Sequence, residues 1–222
     1  MKNKIVSCTW QDEAVCRGCD LSGELSCRWS GKLLVGFLLP ALAFGLLAIF
    51  SIIIVSIASG VWWTLYSYLG FWFFFFFFFE IKILCSHCPY YAQDSGILHC
   101  LANHGVPKIW RFDPRPMNRF EVVSLYVGFI IFGFFPIGVG VYGIYFSAVT
   151  DSISNLAHLG IIGLTVAMFL VIIAFFSTLL IYICPRCVNF SCPFNRVEKE
   201  IVKKYLDKNP AMRDAWQKAG RY

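Results

Sequence analysis

Between Leu33 and Leu84 the chain carries no acidic or basic side chain except Glu80 and Lys82, which stand near the end of the stretch. A helix crosses the hydrocarbon core with about 20 apolar residues rising about 1.5 Å each, so this stretch is too long for one crossing and predicts two. Its weakest point is Ser56-Ile-Ala-Ser-Gly60, followed by the interfacial pair Trp62 and Trp63. A tight turn there divides the stretch into helices near 33–57 and 61–84. Composition agrees with a membrane class: 58% of the residues are hydrophobic and only 14% charged, too few polar groups to cover a soluble domain of this size.

A second pair of spans follows. Asn118-Arg-Phe-Glu121 reads as a capping box that opens a helix running to about Phe146. The polar turn Thr150-Asp-Ser-Ile-Ser-Asn155 precedes a fourth helix near 158–183. The expected fold is an all-α integral membrane protein of four transmembrane helices arranged as two hairpins. In chain order it comprises an N-terminal domain (1–32), a first hairpin (33–84), a Cys/His-rich loop (85–120), a second hairpin (121–183) and a Cys-rich turn with an amphipathic helix (184–222). The hairpins share features that suggest an internal duplication: Val35-Gly-Phe37 with Pro40 opens the first, and Val127-Gly-Phe129 with Pro136 opens the second.

Orientation follows from charge. The Lys and Arg residues fall before Leu33, between Lys82 and Arg119, and from Arg186 onward, while the two turns on the other face carry none and have Asp151 as their only charge. The positive-inside rule then places both termini, the central loop and all ten cysteines in the cytoplasm. In that reducing compartment structural disulfides are disfavoured, so clustered thiols read as metal ligands or redox groups.

The cysteines stand at the polar ends of the spans. Each hairpin empties into a Cys-x-x-Cys element, Cys85-Ser-His-Cys88 or Cys184-Pro-Arg-Cys187, and each element is followed by one further cysteine, Cys100 or Cys192. The sharp expectation is a shared site in which Cys85, Cys88, Cys184 and Cys187 converge; otherwise Cys100 with His104, and Cys192, complete two separate sites. His99, beside Cys100, is a further ligand candidate, and His87 a weaker one. The first 32 residues read as a small domain rather than a signal peptide, because Cys8, Cys16, Cys19 and Cys27 are spaced symmetrically about the Cys16-Arg-Gly-Cys19 turn and suit one tetrahedral ion. Metal binding releases on the order of 10 kcal/mol, which would order so short a segment.

Zinc is the first choice for these ligands, and Cys184-Pro-Arg-Cys187 resembles the knuckles of zinc ribbons. An iron–sulfur cluster is the second, since Cys88-Pro and Cys192-Pro resemble the Cys-Pro that ends ferredoxin ligand runs, although the full ferredoxin spacing is absent. A thiol redox relay of the kind run by four-helix disulfide oxidoreductases is the third, a likeness limited to helix count and dithiol spacing. The corresponding functions are a membrane scaffold or complex subunit presenting metal knuckles, an electron-transfer protein, and a thiol exchanger.

Other signals are read as packing. Gly138-Val-Gly140-Val-Tyr-Gly143 matches a dinucleotide fingerprint as a string but lies inside an apolar span with no preceding strand, so its glycines serve close helix contact. The run from Phe71 to Phe79 leaves no polar face and is assigned to lipid and neighbouring helices. The fourth span holds no membrane-embedded charge, which argues against an ion pathway. Lys108, Trp110, Arg111 and Arg115 alternate with prolines as in a segment lying along anionic headgroups. Val197, Ile201, Val202, Tyr205 and Leu206 form the apolar face of an amphipathic helix assigned to the membrane interface. The partners expected are therefore anionic lipid and a cytosolic or membrane protein, with no nucleic acid. A Ser-His-Asp set and a phosphate loop are both lacking, so an enzyme is not expected, and oxidoreductase or electron-transfer chemistry is the class if it is one.

Overall fold

The computed structural model describes residues 16–151 and 153–222; Cys8 lies outside them. Among the described residues the secondary structure is all helical apart from two isolated bridges. The α-helices are α1 (Gly31–Ser59), α2 (Trp63–Phe74), α3 (Glu80–Ile83), α4 (Arg119–Val149), α5 (Asn155–Thr178), α6 (Lys199–Asp207) and α7 (Pro210–Lys218). A π-helical turn (Phe75–Phe79) joins α2 to α3, and another (Leu179–Ile183) extends α5. Four continuous helical stretches, Gly31–Ser59, Trp63–His87, Arg119–Val149 and Asn155–Arg186, are long and apolar enough to cross a membrane.

Each boundary has a local cause. Gly60 ends α1 with φ +76°, a conformation that costs other residues dearly, and Ser59 Oγ donates to the Val55 carbonyl at 2.7 Å. The capping box at α4 forms as the sequence requires. Glu121 N donates to Asn118 Oδ1 at 2.9 Å, and Asn118 N donates to Glu121 Oε2 at 2.8 Å. Neither Pro40 in α1 nor Pro136 in α4 ends its helix. At α5, Ser154 Oγ accepts from Ala157 N, and Ser147 Oγ meets His158 Nδ1 at 2.7 Å, a contact the sequence did not signal.

The chain divides into two compact units. One comprises Leu38–Phe79 and Tyr126–Ser177, the apolar bodies of the spans. Here close backbone approach is made by particular glycines. A Cβ on Gly140 would lie 2.4 Å from Thr165 Oγ1, one on Gly143 2.5 Å from Val55 Cγ2, and one on Gly128 1.8 Å from the Phe75 ring. Gly138, Gly160 and Gly163 meet nothing within 4 Å, so only part of the glycine-rich stretch works as a packing seam. Tyr68 donates its hydroxyl to the Phe132 carbonyl at 3.1 Å, which satisfies a buried polar group within apolar surroundings. Along the phenylalanine run, Phe75 is buried while Phe73, Phe74, Phe77 and Phe78 stay exposed.

The other unit comprises the described residues up to Phe37, with Glu80–Leu125 and Thr178–Tyr222. Its core contains Leu21, Leu25, Tyr90, Leu98, Leu101 and Val188 around Cys85, Cys88 and Cys100. Tyr205 and Leu206 of α6, with Met212 and Trp216 of α7, belong to the same core and are at most 7% exposed. The apolar face of the C-terminal helices is therefore spent on covering this core, which corrects its assignment to the membrane interface. Burying a Tyr, a Leu, a Met and a Trp against protein stabilises by about 1.5–3 kcal/mol each, and the core removes these side chains from any lipid surface.

Candidate thiol centre

The two Cys-x-x-Cys elements have matching local structure. Each follows a π turn and opens on a 3-10 turn, Cys85–His87 or Cys184–Arg186. The residues before them have similar backbone angles, φ −114° and ψ −54° at Leu84 and φ −100° and ψ −51° at Ile183. The closing cysteines are both extended, with ψ 136° at Cys88 and 128° at Cys187. The Cys88 amide donates to the Cys85 carbonyl at 3.0 Å and that of Cys187 to the Cys184 carbonyl at 3.4 Å.

The elements are also fastened to each other. Asn189 Nδ2 donates to the Leu84 carbonyl at 3.0 Å, so the residue two beyond Cys187 caps the backbone just before Cys85. Asn195 Nδ2 donates to the carbonyls of Cys187, at 2.7 Å, and Asn189, at 3.1 Å, which folds the Cys192 turn back over the second element. Ser26 N donates to the Arg186 carbonyl at 2.7 Å, and Tyr90 donates its hydroxyl to the Ser26 carbonyl; both elements thus hold the N-terminal segment.

Cys187 is the hub of the thiols. Burial raises the Cys88 thiol well above the ordinary range, and the charges of Cys187 and Cys100 raise it further. Burial likewise pushes Cys100 up to about 12, against the pull of the Ala102 and Asn103 amides, and Glu80 and Cys187 add to the rise. Cys192 is raised first by burial and then by Cys187; Cys187 itself is raised by burial. Cys184 is within electrostatic reach of Cys187 as well. Near neutral pH Cys88, Cys100, Cys187 and Cys192 are protonated thiols with little nucleophilic character.

Asn103 is the organiser that sequence reading missed. Its backbone N–H donates to Cys100 Sγ at 3.0 Å, and its side-chain Nδ2 stands 3.2 Å from Cys85 Sγ and 3.0 Å from Glu80 Oε2. Cys85 Sγ in turn donates to the Glu80 carboxylate at 3.6 Å. Glu80 is 5% exposed and so serves this cluster rather than reaching solvent. Nothing in the spacing marks an asparagine three residues beyond a cysteine as a bridge.

The remaining predicted residues divide between two places. Cys16, Cys19 and Cys27 line one cavity of about 230 Å³ with Arg28, whose Nη2 donates to Cys16 Sγ at 3.6 Å. The Cys19 amide donates to the Cys16 carbonyl at 3.2 Å, the same turn as in the other two elements. Cys27 also contributes charge at Tyr90, where Cys88, Cys187 and Cys100 act too. His104 stacks on Trp29 with ring centroids 4.3 Å apart and lies 5.0 Å from His99; its buried Nδ1 has no hydrogen-bond partner among the described residues. His87 turns to the loop instead, with Nδ1 3.1 Å from the Asp113 carbonyl. Among the described residues no group of three or more His, Cys, Asp or Glu is set to hold a metal ion. Comparison with protein families, with curated proteins and with solved structures finds no match for the chain.

Proposed function

We propose that the protein is an integral membrane protein whose cysteine-rich unit is a zinc–thiolate module, acting as a scaffold or subunit of a membrane complex. The observation that carries this reading is the gathering of Cys85, Cys88, Cys100, Cys184, Cys187 and Cys192 from three stretches of chain into one neighbourhood, in which Cys187 acts on Cys88, Cys100, Cys184 and Cys192, and Cys85 is linked through Cys88 and Cys100. Thiols that keep their protons are poor exchangers, because exchange needs a thiolate. A soft metal ion instead displaces the protons and holds the thiolates in burial. Amide donation to sulfur, as from Asn103 to Cys100, is the outer-shell support that thiolate ligands require.

In this reading the cysteines close on the ion by changing χ1 wells, since no group stands ready for it. Cys16, Cys19 and Cys27, with Cys8, form a second site, and His104 is the spare ligand with an unpartnered ring nitrogen. The matching turns at Cys85 and Cys184 support two duplicated hairpins, and the positive charges support a cytoplasmic position for this unit. The same neighbourhood could hold an iron–sulfur cluster in an electron-transfer protein, and one experiment separates the two. Protein purified without oxygen is expected to be colourless with stoichiometric zinc, and Cys187→Ser is expected to lower the zinc content. A brown, iron-loaded sample moves the assignment to a cluster, and a fully folded sample free of metal ends both readings.

A further inference from the structure

A second cavity, of about 590 Å³, is lined by Lys82, Ser86, His87, Trp110, Arg111 and Arg115, with Asp113 and Glu121. Its volume is that of a small-molecule site, which typically spans about 300–1,000 Å³. The frame is rigid. Arg115 Nη2 and Nη1 donate to Glu121 at 2.6 and 2.8 Å, and Arg115 Nε pairs with Asp113 at 2.8 Å. The Asp113 amide donates to the Ser86 carbonyl at 2.9 Å, which ties the loop to the helix end.

Within that frame the charges do not cancel. Arg115 is matched by the two carboxylates, whereas Arg111 forms no ion pair among the described residues and the Lys82 ammonium is held only over the Trp110 ring, 4.0 Å from its centroid. A third group in the lining is unsatisfied. His87 is 2% exposed, yet its Nε2 has no hydrogen-bond partner among the described residues and stands 3.5 Å from Glu121 Oε1 without bonding to it. The rim carries exposed Ile109 and Trp110, so an acyl chain has apolar surface beside the polar pocket.

We propose that this cavity binds a phosphate-bearing anion, with Lys82 and Arg111 supplying the positive charge. The cavity shares Ser86 and His87 with the Cys85–Cys88 element but none of its cysteines, and its ligand is a lipid headgroup or a free phosphate. The test uses full-length protein in detergent micelles, titrated with dioctanoyl phosphatidylglycerol, dioctanoylglycerol or inorganic phosphate while the thermal unfolding midpoint is read. Phosphatidylglycerol is expected to raise the midpoint by several degrees and dioctanoylglycerol, which has the same chains without the phosphate, to leave it unchanged. Lys82→Gln with Arg111→Gln should weaken the apparent affinity by about tenfold or more. Arg111→Gln alone, at an exposed side chain, should weaken it in part, and the equal charge change Lys203→Gln with Lys218→Gln should leave it intact. Inorganic phosphate that protects and competes assigns the site to free anions, and phosphate without effect assigns it to lipid. Equal responses to the two lipids, or unweakened binding in both Arg111 variants, overturn the proposal. Metal content, measured on the same samples, should not change.

Discussion

Asn103 makes a sharp prediction, because one side chain and its own amide serve Cys85, Cys100 and Glu80 together. Asn103→Ala removes the donor to the buried Glu80 carboxylate and is expected to destabilise the cysteine-rich unit by about 1–3 kcal/mol, read by denaturant unfolding. The backbone donation to Cys100 survives that substitution, so Asn103→Pro should cost more. The thiols supply a second test with a defined sign. In metal-stripped protein Cys100 keeps its proton to about pH 12, whereas an unfolded cysteine loses it near pH 8.5. Burial therefore contributes stability that is complete below about pH 8.5 and declines as pH rises toward 12. Metal-loaded protein should show no such alkaline decline, since its thiolates have already lost their protons. An unfolding series across that range, run on both forms, checks it.

At the scale of elements, the packing seam between α4 and its neighbours rests on missing side chains. Gly140→Val places its Cβ against Thr165 and is expected to destabilise the span unit by about 1–3 kcal/mol, while Gly138→Val, which meets nothing, should be near neutral. Asn118→Ala removes half of the reciprocal cap at α4 and should cost about 0.5–2 kcal/mol. These elements also show where the sequence was readable. Hydropathy located the four spans to within a few residues, Gly60 marked the first turn, and Asn118 with Glu121 marked the start of α4, because each signal is local. The apolar stripe of α6 was equally visible, but a stripe states only that something covers it. Tyr205 and Leu206 look the same on paper whether lipid or a cysteine core lies opposite. Asn103, Asn189 and Asn195 belong to no periodic pattern, and their bonds to distant backbone could not be anticipated from spacing.

For the whole molecule, the cysteine core depends on helices that follow it in the chain. Trp216 is 7% exposed within that core, and Trp216→Ala is expected to cost about 3–5 kcal/mol there. In a thiol-labelling experiment on the metal-stripped protein, Cys16, Cys19, Cys27, Cys187 and Cys192, which are half-buried, should react first, and Cys88 and Cys100 only after unfolding. Trp216→Ala should bring the two buried cysteines forward to the time of the first group. Unchanged protection in that variant would mean that α7 is not a cover.

The bond from Asn189 to the Leu84 carbonyl joins positions 105 residues apart, with α4 and α5 between them in the chain. Such a clasp cannot close while the chain is being made until the segment after α5 has left the ribosome. During that interval Cys85, Cys88 and Cys100 are already synthesised but lack Cys187, Asn189 and the helices that shield them. Biogenesis is thus expected to pass through a stage of open, reactive thiols, which closes when the late-made segment locks the early one in place; loading of the proposed metal would belong at that point.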